Sequence, residues 1–357
     1  MVGARVNAQS AGDAVAQIDA ARDVGATAIE ISTVESVHPL GGVLATESLA
    51  GVVAAAEWAK QIRVDASVGV FAAHAWAHPA LVLARDPVAA LATGAGSEGD
   101  LAALADLPSA ATVTSDGRSW HAGGASDEQE LSAVIATVVH FLRTGRDKVS
   151  ATVVADTDQF ATIAKFRAAR MLLARIAELA KAPLDIRIHA ETAWRSMSAR
   201  EPHVNILRAT SAAFGAAVGG ADSITVLPFD ALAGGDAPAR RLAVNTQTIL
   251  AEEAHLYRVA DPAAGSGAIE AATAALAAAA WARFQNIESE GGIITAIKRG
   301  ALLNDIAKTR EARLADATAG AIKMIGVNAY ASEASVTTQP RDESNRLVYR
   351  RLPAVVE

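Results

Sequence analysis

The sequence predicts an α/β fold in which eight parallel strands close into a (β/α)8 barrel of the TIM type. Short apolar, β-rich runs recur along the chain with helical segments between them, which is the pattern of a parallel sheet covered by helices. Eight such runs are present, and eight is the strand number of a closed β/α barrel. The length of 357 residues allows one or two domains, and barrels of this kind reach it as one.

The runs that predict strands follow one another at barrel-like intervals. They cover residues 4–9, 28–32, 62–67, 111–115, 149–154, 184–190, 223–227 and 257–260. Helix signals lie between them. Ser126 with Gln129 three residues later predicts an N-terminal cap, the segment 160–181 is strongly helical and ends before Pro183, and Pro202 is placed to begin the next helix.

Composition excludes several classes of function. A hydrophobic fraction of 51% with 20% charged residues indicates a large core, and the formal net charge of -7 disfavours a nucleic-acid surface. The absence of cysteine removes disulfides, thiolate nucleophiles and cysteine metal clusters. The N-terminus carries no signal-peptide pattern and the Ala-rich run 271–280 is too short to span a bilayer, so we predict a cytoplasmic protein that binds neither membrane nor nucleic acid.

Polar residues alternate with apolar ones on nearly every predicted strand, which is unusual because such barrels normally have aliphatic interiors. The alternating pairs are Asn7 and Gln9, Glu30 and Ser32, Asp65 and Ser67, Thr112 and Thr114, Ser150 and Thr152, Arg187 and His189, and Ser223 and Thr225. One interpretation is a hydrophilic axis that admits a thin polar ligand. The other is a closed interior in which these groups bond one another or trapped water.

The barrel is predicted to occupy residues 1–330, and the periodic pattern stops after Tyr330. Residues 331–357 contain Ser, Thr, Asp and several Arg with little periodicity, so we predict an extended C-terminal tail.

Several ordered segments resemble the barrel domain of adenosylcobalamin-dependent methylmalonyl-CoA mutases. They include Ile-Arg-Ile-His-Ala-Glu-Thr at 186–192, His-Val-Asn-Ile-Leu-Arg-Ala-Thr at 203–210, Thr-Val-Leu-Pro-Phe-Asp at 225–230, Trp-His-Ala-Gly-Gly-Ala-Ser at 120–126, Lys-Phe-Arg-Ala-Ala-Arg at 165–170 and Asn-Thr-Gln at 245–247. The resemblance extends from the first strand to about Tyr330. The segments 203–210 and 225–230 look like the small, non-catalytic subunit of the heterodimeric enzymes.

The resemblance implies a barrel that pairs with a large subunit, which binds adenosylcobalamin and interconverts methylmalonyl-CoA and succinyl-CoA. It also implies that this chain is structural and inactive alone, with no cobalamin-binding domain and no cofactor of its own. The nearest match to the cobalamin signature Asp-x-His-x-x-Gly is the segment 36–41, which lacks the Asp. The alternative is an active acyl-CoA isomerase barrel that works with a separately encoded cobalamin-binding protein, and a third possibility is a CoA-ester binding module.

His121 is the candidate catalytic residue if the barrel is active, since catalytic groups in such barrels come from the loops after strands. In active family members, a Tyr-His pair here contacts the substrate thioester, and the His can donate a hydrogen bond to its carbonyl. This chain has Trp120 in place of the Tyr. Small subunits share the His, so it does not by itself establish activity.

The candidate substrate contacts are Trp120, Arg187, His189, Glu191 and Thr225. Arg187, His189 and Glu191 alternate along one strand and share a face. They either form a polar wall for an acyl-CoA or an internal Arg-Glu ion pair with His189 hydrogen-bonded beside it.

Other chemistry has weaker support. Active mutases grip the substrate carboxylate with an Arg before the Tyr-His pair, and the region 73–108 offers only Arg85, in a segment that looks like the small-subunit pattern. His74 and His78 are a metal-like pair without an acidic partner on a helix. The chain has neither a phosphate-binding loop nor a nucleophile elbow.

Overall fold

The structure is a computed structural model, and it describes residues 1–6, 10–32, 49–65, 81–181, 184, 186–332, 351 and 353–355. The predicted positions Asn7, Gln9 and Ser67, the histidines His74 and His78, and the segment 36–41 lie outside these residues.

Eight parallel strands form a closed barrel, which confirms the predicted fold class. The strands are β1 Val2–Val6, β2 Ala28–Ser32, β3 Gln61–Asp65, β4 Leu81–Leu83, β5 Thr112–Asp116, β6 Val149–Ala155, β7 Arg187–Thr192 and β8 Ser223–Thr225. Each strand pairs with the next in the sequence, and β8 pairs with β1 through Thr225 and Gly3. The closure removes both sheet edges.

The strand count was predicted correctly, but one of its members was wrong. Leu81–Leu83 was missed because it is three residues long, apolar and buried on both sides, so it shows no alternation. The segment 257–260 was predicted as a strand, whereas Leu256–Arg258 is a 3₁₀ turn in which Tyr257 is 66% exposed. We predicted that His121 follows the fourth strand and that Arg187 lies on the sixth. Because Leu81–Leu83 is an additional strand before them, His121 follows the fifth strand and Arg187 begins the seventh.

Helices cover the outside of the barrel and continue beyond its last strand. They are α1 Ala11–Asp23, α2 Leu49–Ala55, α3 Pro87–Thr93, α4 Glu98–Ala102, α5 Arg118–Ala122, α6 Asp127–Arg143, α7 Gln159–Ala180, α8 Val204–Val218, α9 Ala237–Thr248, α10 Gly267–Ser289, α11 Ile293–Arg299 and α12 Ala301–Thr318. The predicted cap of α6 is present, because Ser126 and Gln129 exchange two hydrogen bonds. Among the residues that the structure describes, no helix has the length and apolarity needed to cross a membrane.

The last helices attach to the barrel at specific points. Gln247 of α9 binds both backbone groups of Gly3 in β1, with its Oε1 at 3.1 Å from the amide nitrogen and its Nε2 at 2.9 Å from the carbonyl oxygen. Helix α10 packs across α6 and α7. Near the end of the chain, Nη1 of buried Arg351 donates to the carbonyl of Met197 at 2.8 Å. Most of the predicted tail 331–357 lies outside the residues described.

The two faces of the strands differ as the alternation predicted. Ile29, Ile31, Ile62, Val64, Val113, Val153 and Ile188 belong to the hydrophobic core between the strands and the helices. The intervening side chains, including Glu30, Arg63, Thr152 and Glu191, are also buried. Several bond across the barrel to strands that are not their neighbours, such as Arg63 of β3 to Thr152 of β6. The polar faces therefore point inward.

We expect Gly3→Ala to destabilise the closure between β1 and β8. An added Cβ would overlap Oγ1 of Thr225 and would lie 2.6 Å from the carbonyl oxygen of Ile224. Overpacking of this kind costs about 1–3 kcal/mol in the free energy of unfolding. Urea unfolding of Gly3→Ala beside Gly12→Ala tests this, since nothing lies within 4 Å of a Cβ at helical Gly12. Equal stabilities of the two variants would contradict the prediction.

Candidate functional site

The middle of the barrel is filled by a network of charged side chains that we call the ionic core. Its members are Arg5 on β1, Glu30 on β2, Arg63 on β3, Asp116 on β5, Arg118 on α5 and Glu191 on β7. All six are at most 7% exposed, so the contacts operate away from bulk water.

Arg118 is the centre of the ionic core. Its Nη1 lies 2.6 Å from Oε1 of Glu30 and 3.1 Å from Oε2 of Glu191, and its Nη2 lies 2.8 Å from Oδ2 of Asp116. A planar guanidinium with five donors can satisfy three carboxylates in this way, which an ammonium cannot do with fixed geometry. Arg118 thus joins groups from three strands at the barrel axis.

The other two arginines complete the charge balance. Arg5 Nη1 is 2.8 Å from Oε2 of Glu191 and 3.2 Å from Oε1 of Glu30. Arg63 Nε is 3.3 Å from Oε2 of Glu30, and its Nη2 donates to Oγ1 of Thr152 at 2.7 Å. Three cations therefore face three carboxylates, which is the condition under which a buried ionic network is tolerated.

Electrostatics within the ionic core favour the ionised state. Burial raises the pKa of Glu30, but Arg118 and Arg5 outweigh this effect and hold that pKa well below its usual range. The pKa of Arg118 is raised, because the attraction of its three carboxylates exceeds the effect of burial. Both groups keep their charges across the physiological range.

The predicted face of Arg187, His189 and Glu191 does exist, but its three residues lie in different surroundings. Arg187 is the first residue of β7 and is exposed, whereas Glu191 pairs with Arg5 and Arg118. His189 is buried, with Nδ1 at 2.7 Å from Oγ of Ser223 and Nε2 at 3.9 Å from Oε2 of Glu30. Burial, followed by the charge of Arg63, holds the pKa of His189 well below its usual range.

His121 lies on α5, beside the ionic core but separate from it. The imidazole is 1% exposed, and its Nε2 is 3.1 Å from Oδ2 of Asp156, which follows β6. Arg195 binds the same Oδ2 atom through Nη2 at 2.8 Å. Burial and then Arg195 lower the pKa of His121 to about 3. The imidazole is therefore neutral at physiological pH.

Trp120 and Thr225, the remaining predicted site residues, are also buried. Trp120 belongs to the hydrophobic core, and its indole N–H has no hydrogen-bond partner among the described residues. Thr225 pairs with Glu191 on one side and with Gly3 on the other in the strand register. The roles predicted for these residues toward a substrate stay predictions.

The sequence analysis did not predict a further buried cluster of charged residues, which consists of Lys165, Glu130 and Asp127. Lys165 of α7 is 1% exposed, with Nζ at 2.5 Å from Oε2 of Glu130 and 3.0 Å from Oδ1 of Asp127. Glu130 also accepts a hydrogen bond from the amide of Val154 at 2.9 Å. One feature of the sequence could have indicated this cluster. Glu130 and Lys165 each lie among the apolar residues of their helices, where a charged residue needs a partner. Arg118 was missed too, since it follows a strand and has no periodic pattern.

A small cavity and a larger groove adjoin His121 and its partners Asp156 and Arg195. The cavity of about 10 Å³ is lined by Arg118, His121, Ala122, Val154, Glu191, Thr192 and Trp194, and such a space holds about one water. The groove has a volume of about 900 Å³, and its lining includes Asp156, Arg195 and Arg313. The described residues contain no cluster of His, Cys, Asp or Glu that could hold a metal ion.

The chain belongs to the methylmalonyl-CoA mutase family. The family model described as methylmalonyl-CoA mutase matches residues 102–354. That range includes His121 and β5 to β8 but begins after β4, so this match does not support the predicted resemblance from the first strand. It also continues past Tyr330, where we expected the resemblance to end.

The chain is similar to several proteins that are named as methylmalonyl-CoA mutase small subunits. A methylmalonyl-CoA mutase small subunit from Streptomyces virginiae is 44% identical over 248 residues, which are 64% of this chain and 40% of that protein. A probable methylmalonyl-CoA mutase small subunit from Mycobacterium tuberculosis is 41% identical over 251 residues, 65% of this chain and 40% of that protein. The small subunit from Propionibacterium freudenreichii subsp. shermanii is 40% identical over 242 residues, 61% and 38% respectively. The chain spans about two fifths of these curated relatives.

Proposed function

We propose that this chain is the small-subunit-type barrel of an adenosylcobalamin-dependent acyl-CoA mutase, of the methylmalonyl-CoA to succinyl-CoA type. In this proposal it is structural and inactive alone, and it pairs with a large subunit that binds the cofactor and the substrate. The names of the relatives support the small-subunit assignment. The proposal includes the predicted cytoplasmic location, which cell fractionation would test.

The ionic core is the observation that carries this proposal. Resemblance to the family implies that active barrels thread the pantetheine arm of the acyl-CoA along the barrel axis. In this barrel Arg118 joins Glu30, Glu191 and Asp116 across that axis at 2.6–3.1 Å. A ligand that passed this level would have to break buried ion pairs, at a cost of about 3–5 kcal/mol for each partner left uncompensated.

The alternative is that this chain is an active isomerase barrel, and only then would the predicted site residues contact a substrate. In that case His121 would act on the thioester carbonyl, and Trp120, Arg187, His189, Glu191 and Thr225 would contact the acyl-CoA. The geometry favours the structural proposal, because Glu191 is committed to two arginines and His121 to Asp156.

The residues of the ionic core do not fit a cobalamin. The cofactor would supply the radical chemistry of the rearrangement when bound, but the side chains of the ionic core are buried and paired with one another. His121 beside the ionic core and His189 next to Glu30 are buried, and they are hydrogen-bonded to Asp156 and Ser223, respectively. We therefore assign the cofactor to the partner subunit.

Binding of an acyl-CoA separates the proposal from its alternatives. Purified chain is titrated with methylmalonyl-CoA by calorimetry, alone and with a cobalamin-binding protein plus adenosylcobalamin, beside a complete mutase as positive control. We expect neither heat of binding nor isomerisation from this chain. Saturable binding with turnover would establish the active isomerase instead, and saturable binding without turnover would establish a CoA-ester binding module.

Co-expression tests the predicted partner directly. The chain is produced with a mutase large subunit, and the affinity-purified material is examined by size-exclusion chromatography with light scattering. We expect a stable complex with an obligate-type interface of more than about 2,000 Å². Separate elution of the two proteins at all concentrations would refute the pairing.

A further inference from the structure

Asp156 holds His121 at one of its two ring nitrogens. The distance from Nε2 to Oδ2 is 3.1 Å, and His121 is 1% exposed. The other carboxylate oxygen of Asp156, Oδ1, accepts a hydrogen bond from the amide of Thr157 at 2.8 Å. Both oxygens of Asp156 therefore act as acceptors, and the charge-assisted hydrogen bond from the guanidinium of Arg195 to Oδ2 favours the ionised form.

Arg195 fixes both members of this pair. Its Nη2 donates to Oδ2 of Asp156 at 2.8 Å, while its Nη1 donates to the carbonyls of His121 and Ala125 at 3.1 Å and 2.9 Å. The guanidinium thus ties the backbone of the helix that carries His121 to the carboxylate that its ring contacts. Side chain and backbone are located by the same residue, which is itself 6% exposed.

A neutral imidazole has one donor nitrogen and one acceptor nitrogen, and its partner decides which is which. Because the ionised Asp156 can only accept, Nε2 must carry the proton, and Nδ1 retains only a lone pair. We propose that Asp156, clamped by Arg195, is a positioning residue that fixes His121 as the neutral Nε2–H tautomer with that hydrogen already donated.

The consequence concerns hydrogen-bond donation to a substrate. Nε2–H of His121 is used by Asp156, and Nδ1 has no hydrogen, so the ring cannot donate to a thioester carbonyl. This consequence rests on the proposed function and deepens it. It explains how this barrel can keep the histidine that the family shares and yet not donate a hydrogen bond to the thioester carbonyl. The tautomer itself is independent of that function.

Several charged groups face His121 from the elements packed around it. They are Asp156 after β6, Arg195 after β7, Lys165 of α7, Asp127 of α6, and Arg118 and Glu191 across the small cavity. Burial and the nearby Arg195 and Lys165 oppose a positive imidazolium, while Asp156 favours it. The balance keeps the ring neutral.

Nitrogen NMR of the whole chain tests the tautomer. Long-range ¹H–¹⁵N correlation spectra of histidine-labelled protein contain signals from eight rings, and the signal lost in His121→Gln identifies His121. We expect an unprotonated Nδ1 and a protonated Nε2 that do not titrate between about pH 5 and 8. A protonated Nδ1, or titration in that interval, would overturn the proposal.

The variants Asp156→Ala and Asp158→Ala form a matched pair that tests whether Asp156 fixes the tautomer of His121. Both remove a carboxylate from the loop before α7, but Asp158 caps the helix through Ala161, whereas Asp156 contacts His121. We expect Asp156→Ala to show a mixture of tautomers and Asp158→Ala to keep the wild-type spectrum. If Asp156→Ala does not fold, Asp156→Leu, which also has no side-chain acceptor, is measured in the same way. An unchanged tautomer in a folded Asp156 variant would refute the positioning role, without bearing on acyl-CoA binding or subunit pairing.

Discussion

Replacement of Arg118 by Met is expected to destabilise the protein more than any other single change in the barrel interior. The side chain is 3% exposed and contacts Glu30, Glu191 and Asp116. Without it, two arginines remain for three buried carboxylates, and removal of one partner from such a network costs about 3–5 kcal/mol. Urea unfolding followed by circular dichroism measures the loss.

Two further variants separate charge from packing. Arg175→Met removes an ion pair with Glu178 in which the side chains are 54% and 68% exposed, and we expect a change of less than about 1 kcal/mol. Arg118→Met combined with Glu191→Gln restores equal numbers of buried positive and negative charges, and it should be more stable than Arg118→Met alone. A loss for Arg118→Met no larger than that for Arg175→Met would show that the ionic core does not hold the barrel together.

The sequence predicted the architecture because alternation reports which face of a strand a residue occupies. Ile29 and Ile31 faced the helices and Glu30 faced the interior, as the period of two requires. Alternation does not report depth along the strand. Arg187 and Glu191 share a face, yet Arg187 is exposed at the start of β7, while Glu191 lies in the ionic core two alternations later.

Charge partners could not be predicted from single strands. One of the two interpretations of β7 was an ion pair between Arg187 and Glu191, whereas Glu191 forms ion pairs with Arg5 and Arg118. These partners are 186 and 73 residues away in the sequence, and only closure of the barrel brings them together. His121 follows a strand, as predicted, but it lies in the short helix α5 and not in a loop. Its bond to Asp156 depends on how the segments after β5 and β6 meet.

One ammonium serving two carboxylates explains the electrostatics around Lys165. The pKa of Lys165 is raised by Asp127 and Glu130, which outweigh its burial. The pKa of Glu130 is nevertheless raised from 4.5 to about 7, because burial outweighs Lys165 and Asp127 adds repulsion. The raised pKa of Lys165 and the raised pKa of Glu130 have one explanation. Asp127 retains the negative charge beside the ammonium, and Glu130, which has no exposed surface, is the carboxylate that takes a proton.

Lys165→Met is therefore expected to destabilise the protein strongly at alkaline pH and weakly at acidic pH. A carboxyl group whose folded-state pKa lies above its unfolded value contributes stability that is complete below the unfolded pKa and is lost as pH rises through the folded one. For Glu130 that window runs from 4.5 to about 7, and loss of Lys165 moves its upper limit higher. We expect a cost of about 3–5 kcal/mol near pH 8. Near pH 5 we expect less than half of it, because Glu130 is already protonated and only Asp127, whose side chain is 29% exposed, loses a charged partner.

Urea unfolding at the two pH values measures the difference, with Lys298→Met as the matched control. Lys298 pairs with Glu98, and the two side chains are 48% and 70% exposed, so its removal should cost less than about 1 kcal/mol at either pH. Lys165→Met combined with Glu130→Gln should recover stability near pH 8, because the uncompensated buried charge is then absent. A cost of Lys165→Met that does not change with pH would mean that Glu130 stays ionised, and that both carboxylates share the ammonium as charged groups.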